Sequence, residues 1–174
     1  MPGAQERVLR RRIASVQNTK KITRAMELIA ATRVVKAQLR ANEARPYSER
    51  ITQVIQDLAA AGADVDHPLL RPVDEVRKVG LIVLAGDRGL AGAYNTNVIR
   101  AAERELAAIR SEGREFALVT VGRKSEAHFR FRNYPIDAAY SGFTDRPSYE
   151  EAVAIAARVT DLFVNQGCDR IDLV

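Results

Sequence analysis

The chain of 174 residues has one cysteine, Cys168, and two histidines, His67 and His128. A single cysteine excludes an internal disulfide and a cysteine-ligated zinc site, and it fits a reducing compartment. The two histidines are far apart in sequence and give no metal-binding spacing. His128 reads as a lone packing or surface residue on a short helix. No run of eighteen apolar residues occurs, so no segment is expected to cross a membrane. The N-terminus, MPGAQERVLRRR, is basic but is followed by neither an apolar block nor a small-residue cleavage site, so no secretory signal is read. Aromatic residues are missing from residues 1–46, which disfavours a reader of single-stranded nucleic acid. Internal repeats and low-complexity tracts are also missing.

Glycine is absent from Ala4 to Ala61, and that stretch holds one proline, Pro46. Apolar residues recur there mostly at steps of three and four: Leu9, Ile13 and Val16, then Ile22, Met26 and Ile29, and later Ile51, Val54, Ile55 and Leu58. This is the period of a helix with a buried stripe. At 1.5 Å per residue such a helix spans about 85 Å, longer than a compact domain of this size. It therefore projects beyond the domain or lies against a partner. A kink or short break is expected at Pro46 and a stop at Gly62. Charge is uneven. Residues 1–50 carry twelve Lys/Arg and four Asp/Glu, a net +8, whereas residues 51–174 carry fifteen and eighteen, a net −3. A basic helix on a mildly acidic body suits an acidic partner. The plainer reading is a solvated helix face.

Residues 62–77, punctuated by Gly62, Asp64, Asp66, Pro68 and Pro72, read as a linker. Residues 78–174 read as an α/β domain. Val79-Gly-Leu-Ile-Val-Leu-Ala has the continuous apolar character of a strand buried on both faces. A helix through Val98, Ala102, Leu106 and Ile109 follows, then a strand at 116–121, a short helix at 124–131 and a weaker strand at 136–140. Ser148 followed three residues later by Glu151 is a capping box that opens a helix to about Asn165. Gly167 stops that helix, and 171–174 is a last strand. Strands alternating with helices predict a Rossmann-like, doubly wound and mainly parallel sheet. The chain ends on an apolar strand, and its long helix has no second helix of similar length. The expectation is an N-terminal part of something longer, or surfaces covered by other chains.

Gly86-Asp87-Arg88-Gly89-Leu90-Ala91-Gly92 follows a buried strand and opens a helix, where dinucleotide enzymes place their phosphate loop. The spacing is G-x-x-G-x-x-G, not the G-x-G-x-x-G fingerprint, and Asp87 sets a carboxylate where a pyrophosphate would lie. Arg123 and Lys124 after the second strand would suit an NADP-type site. The favoured reading is structural: Gly86, Asp87, Arg88, Gly89 and Gly92 form a tight turn that permits close helix–sheet packing. Gly122-Arg-Lys-Ser lacks the rest of a P-loop, and no serine–histidine–aspartate arrangement is visible. No catalytic residue, cofactor site or metal site is assigned.

Arg12-Ile-Ala-Ser-Val-Gln-Asn-Thr-Lys-Lys-Ile-Thr-Arg-Ala-Met-Glu-Leu-Ile-Ala-Ala resembles the opening helix of the gamma subunits of F-type ATP synthases. The resemblance continues through Ala44-Arg-Pro-Tyr, His67-Pro-Leu-Leu and Asp87-Arg-Gly-Leu-Ala-Gly-Ala-Tyr-Asn, in the family's order. Ala91 stands where many relatives have cysteine, and Val35 where a basic residue is common. The family's C-terminal helix, partner of the first, is not in the chain. The resemblance implies a non-catalytic rotor subunit, the central stalk of a proton-translocating ATP synthase, at the cytoplasmic face of the bacterial plasma membrane. It implies as partners the alpha and beta subunits, the epsilon subunit and the membrane c-ring, with no nucleic acid and no direct membrane insertion. On it, residues 1–61 are half of an antiparallel coiled coil. Lys20, Lys21, Arg24, Met26, Glu27 and Arg33 would contact beta, and Ile13, Val16, Ile22 and Ile29 would form the coiled-coil seam. Two other classes stay open: a nucleotide-dependent enzyme, resting on the Gly86 turn, and a nucleic-acid-binding helix, resting on the basic stretch.

Overall fold

A computed structural model describes residues 3–60, 67, 69 and 73–174, with Ala59 described by its backbone alone. The chain divides into two compact units at residues 64 and 65. The first holds α1, a helix of 57 residues from Ala4 to Ala60. Its start lies where the sequence places it. The Gly3 carbonyl accepts the Glu6 and Arg7 amides at 3.0 and 3.3 Å, and Glu6 in the first turn suits the helix dipole. The expected stop at Gly62, and most of the linker reading, lie outside the described residues.

The short break expected at Pro46 does not occur, and the helix runs through it without interruption. Proline's fixed φ is itself helical, so the cost is one missing donor and crowding of the carbonyl four residues back. On a solvent-exposed helix that carbonyl turns to water. An ion pair from Arg45 Nε to Glu49 Oε1, 2.7 Å long, ties the turns on either side of the proline.

The second unit runs β1 (Lys78–Leu84), α2 (Tyr94–Ser111), β2 (Glu115–Val121), α3 (Arg123–Phe131), β3 (Ala138–Tyr140), α4 (Tyr149–Val164) and β4 (Arg170–Leu173). The four strands form one sheet in the order β3-β2-β1-β4, with every pairing parallel. β1 and β2 pair in register, Leu81 opposite Leu118 and Val83 opposite Thr120. After β3 the chain returns through α4 to the far side of β1. The order therefore reverses between β1 and β4, the switch point of a doubly wound fold.

Each face of the sheet has its own core. On one face Leu81, Val83 and Leu118 pack with Ala102 and Leu106 of α2 and Phe129 of α3. On the other, Ala117 and Val119 pack with Leu162 of α4 and Cys168. Fully burying one such large side chain stabilises by about 1.5–3 kcal/mol, so these clusters hold the helices to the sheet. The capping box at α4 forms as read: the Ser148 amide donates to Glu151 Oε2 at 2.7 Å.

Candidate functional site

The loops that leave β1, β2 and β3 meet at the C-terminal edge of the sheet, and Asp87 joins them. Its carboxylate accepts the Arg123 amide at 3.0 Å from the start of α3. It accepts the Gly142 amide at 2.9 Å from the β3–α4 loop. From that same loop it accepts the Thr144 amide at 2.9 Å and the Thr144 hydroxyl at 2.8 Å. The Asp87 amide in turn donates to Thr144 Oγ1 at 2.9 Å. Burial alone would raise the Asp87 pKa. The hydrogen bonds from Gly142, Thr144 and Arg123, which favour the charged form, outweigh it and hold the carboxyl far below the usual carboxylate range.

The β1–α2 loop is satisfied internally as well. The Gly86 amide donates to Asn95 Oδ1 at 2.8 Å, and Asn95 Nδ2 donates to the Arg88 carbonyl at 3.1 Å. Tyr94 Oη donates to the Leu84 carbonyl at 3.0 Å. Arg88 pairs with Asp145 at 2.9 Å, a second tie from this loop to the β3–α4 loop. Gly92 has φ +55, which glycine adopts without strain, but an added Cβ at Gly89 or Gly92 would meet nothing within 4 Å, so these two glycines do not serve close helix–sheet packing. Leu90, between them, has φ +61 and is 91% exposed. A cleft of about 420 Å³ lies at this edge, its walls including Leu84, Tyr94, Phe143 and Pro147.

This geometry bears on the dinucleotide reading. At this C-terminal edge the α3 N-terminus and nearby loop amides could receive a phosphate. Here Asp87 already occupies those donors. The Arg123 amide is engaged by Asp87, and the Lys124 amide donates to the Gly86 carbonyl at 3.1 Å. Sequence reading found Asp87 as an obstacle but missed Thr144 and Gly142. They lie more than fifty positions away, in a loop with no local pattern to single them out. Asn95 was visible only as the last residue of the family-like motif.

α1 holds the other candidate residues. A helix advances by about 100° per residue. Lys20, Arg24 and Glu27 therefore fall within about 60° of arc, with Lys21 about 60° beyond Arg24. Arg24 Nη1 and Glu27 Oε2 form an ion pair at 2.7 Å. Met26 and Arg33, about 20° apart, lie on the opposite side; Arg33 is half-buried, and the other five residues are exposed. The seam divides in the same way. Ile13 and Val16 lie on the Lys20 side, while Ile22 and Ile29 lie on the Met26 side. The six-residue step from Val16 to Ile22 moves the apolar stripe across the helix. All four are 51–67% exposed.

His128 does not stand alone: its Nε2 lies 2.9 Å from Glu103 Oε1, and its ring meets Phe129 edge-on at 5.2 Å. His67 Nδ1 accepts the Leu69 amide at 3.2 Å. Cys168 is buried, which raises its pKa. Among the described residues, no three His, Cys, Asp or Glu side chains are placed to hold a metal ion. Nor is any helix among them long and apolar enough to cross a membrane.

Comparison with known proteins agrees with the motifs. The family model described as ATP synthase matches residues 5–174. The ATP synthase gamma chain of Trichormus variabilis is 49% identical over 168 residues, covering 95% of this chain and 53% of that protein. The gamma chain of Salinispora arenicola is 44% identical over 170 residues, covering 98% and 54%. The chain thus spans about half the length of the curated relatives it matches. The fold is similar to a chain in the cryo-EM structure of the Tetrahymena thermophila mitochondrial ATP synthase central stalk and c-ring. The TM-score is 0.68 at 21% identity, covering 87% of this chain and 63% of that one. With the family model matched over residues 5–174 and gamma chains at 44–49% identity, the chain belongs to the ATP synthase gamma-chain family.

Proposed function

We propose that the chain is part of the central-stalk rotor of a proton-translocating F-type ATP synthase, coupling rotation driven by ion flow to ATP synthesis in an alpha–beta hexamer. The observation that carries this reading is α1, 57 residues without interruption, basic and exposed, in a chain similar to a gamma chain over 95% of its length. A helix about 85 Å long is built to transmit torque or reach, not to form a compact catalytic pocket.

On this reading gamma does no bond chemistry. Its asymmetric surface biases each catalytic beta subunit toward a different state as it turns. Cations at Lys20, Lys21 and Arg24 meet acidic beta surfaces in some rotary positions and not in others. Only that difference between states matters, because equal attraction everywhere shifts nothing. The remaining partners are alpha, epsilon and the c-ring, and the location is peripheral, at the cytoplasmic face of the plasma membrane. Residues 1–61 are one strand of a coiled coil, 62–77 a linker and 78–174 an α/β domain. The division of the apolar residues into two sides gives this coiled coil two seams. Ile13 and Val16 serve one level of the stalk, and Ile22 and Ile29 serve another after the contact has moved around the helix.

The test is to supply the full-length subunit to an ATP synthase lacking gamma, in vesicles, and to measure ATP-driven proton pumping. Restored pumping supports the reading. Restored hydrolysis without pumping refutes it.

A further inference from the structure

Where the loops after β1, β2 and β3 meet, the fold offers an anion-receiving position, and the chain fills that position itself. Four donors converge on one carboxylate: the Arg123, Gly142 and Thr144 amides and the Thr144 hydroxyl, all at 2.8–3.0 Å. They come from two loops, and the carboxylate comes from a third. A bound phosphate would collect a donor set of the same kind. We propose that Asp87 is a built-in substitute for a bound anion, a positioning residue that locks the β1–α2, β2–α3 and β3–α4 loops into one rigid cap.

The loop that Asp87 anchors needs such a lock. Leu90 holds φ +61 with its side chain exposed, so its own packing does not compensate for a left-handed backbone. Such strain persists only where the surroundings over-determine it. Asp87 on one side of Leu90 and the Asn95 bonds to Gly86 and Arg88 on the other supply that constraint. The salt bridge from Arg88 to Asp145 is largely exposed on its arginine side and adds little by comparison. The lock differs from ordinary loop packing in one respect: a small free anion can take its place once the side chain is removed.

The experiment uses the full-length subunit within its purified complex. Amide hydrogen exchange is followed in peptides covering residues 86–92, 121–124 and 141–146. Asp87→Ala should speed exchange in all three segments together, by about tenfold or more, while β1 and β2 stay protected. Sodium formate, compared with sodium chloride at equal ionic strength, should slow all three segments again. It should leave the wild type unchanged. Opening of one segment alone, or the same exchange in formate as in chloride, would overturn the proposal. If Asp87→Ala does not assemble, Asp87→Asn carries the test. It fills the volume without the charge, so it should open the same three segments and ignore formate. Wild-type exchange in all three segments of Asp87→Asn would equally overturn the proposal.

Discussion

Gly122 and Ala85 touch backbone to backbone where β1 and β2 end: a Cβ built on Gly122 would stand 2.0 Å from the Ala85 carbonyl oxygen. Gly122 also has φ +94, so a side chain there meets both a clash and an unfavourable backbone. The obstacle is main chain and cannot swing away.

Gly122→Ala should therefore destabilise the α/β unit by about 3 kcal/mol or more. Gly80 offers the contrast. Its added Cβ would lie 2.5 Å from Ile171 Cδ1, the tip of a side chain that has other rotamers. Gly80→Ala should cost about 1–3 kcal/mol, the usual range for overpacking. Urea midpoints of the full-length chain, read with unchanged m-values, check the order. A Gly122→Ala midpoint at or above that of Gly80→Ala removes the argument.

Acid should act on the loop cap through Asp87. Its folded pKa lies below its unfolded value, so the stabilisation is complete above the unfolded value of about 3.9. It is lost as the pH falls further, through the folded value. The cap should accordingly stay protected at pH 5 and open only in stronger acid, below about pH 4. Asp87→Asn should lose that step and show faster exchange in the cap already at neutral pH. Hydrogen exchange against pH, corrected for the intrinsic rate, measures both. Cap opening between pH 7 and 5 in the wild type would contradict the assignment.

Much of the fold was legible because its signals are local. β1, α2 and β2 follow from apolar runs and period alone, and the Ser148–Glu151 box marks the start of α4 within one turn. The break at Pro46 did not follow because proline's effect depends on where the orphaned carbonyl can turn, which composition does not tell. The seam shows a different limit of reading along the chain. Steps of three and four look continuous residue by residue, but the six-residue step after Val16 carries the stripe across the helix. Asp87 was recognised for what it disfavours. What it does requires Thr144, which only the folded chain brings near.

Nucleotides should not bind at the Gly86–Gly92 turn. The donors that would hold a phosphate are engaged by Asp87, and displacing it would bring two negative groups together in a half-buried site. Titration of the full-length subunit with NAD(H), NADP(H) and ATP should give no saturable heat at sub-millimolar concentration. Saturable binding by the wild type, with residues 86–92 protected from amide exchange by the nucleotide, would sink this prediction.

The 174-residue chain by itself should associate. Ile13, Val16, Ile22, Ile29, Ile51, Val54, Ile55 and Leu58 of α1 are all at least 44% exposed, and helices gain most of their stability from packing such residues. Sedimentation should show concentration-dependent oligomers, or else rapid amide exchange along α1. A monomer with strongly protected α1 amides would count against the coiled-coil assignment.

The last prediction separates charge from helix stability in the proposed contact with beta. Arg24 is a poor probe by itself. Reversing it also breaks its 2.7 Å pair with Glu27 and sets two acids three residues apart, weakening the helix by a few tenths of a kcal/mol. Lys20 is better. Lys20→Glu reverses the charge on the same face, yet places glutamate four residues before Arg24, an arrangement that stabilises a helix by about 0.2–0.5 kcal/mol. Reduced coupling in Lys20→Glu therefore reports a lost contact and not a frayed helix. Met26 lies on the opposite side, so Met26→Lys probes a different surface, with Met26→Leu as its control for packing. In the assembled enzyme Lys20→Glu should lower the ratio of protons pumped to ATP hydrolysed while nucleotide binding to beta stays near normal. Met26→Lys should slow turnover more than Met26→Leu. Because the two sites share no contact around the helix, their effects in the double variant should add as free energies. Reconstituted vesicles give both the ratio and the rate. If Lys20→Glu, Lys21→Glu and Met26→Lys all leave them unchanged, the working surface of the stalk lies elsewhere on the chain.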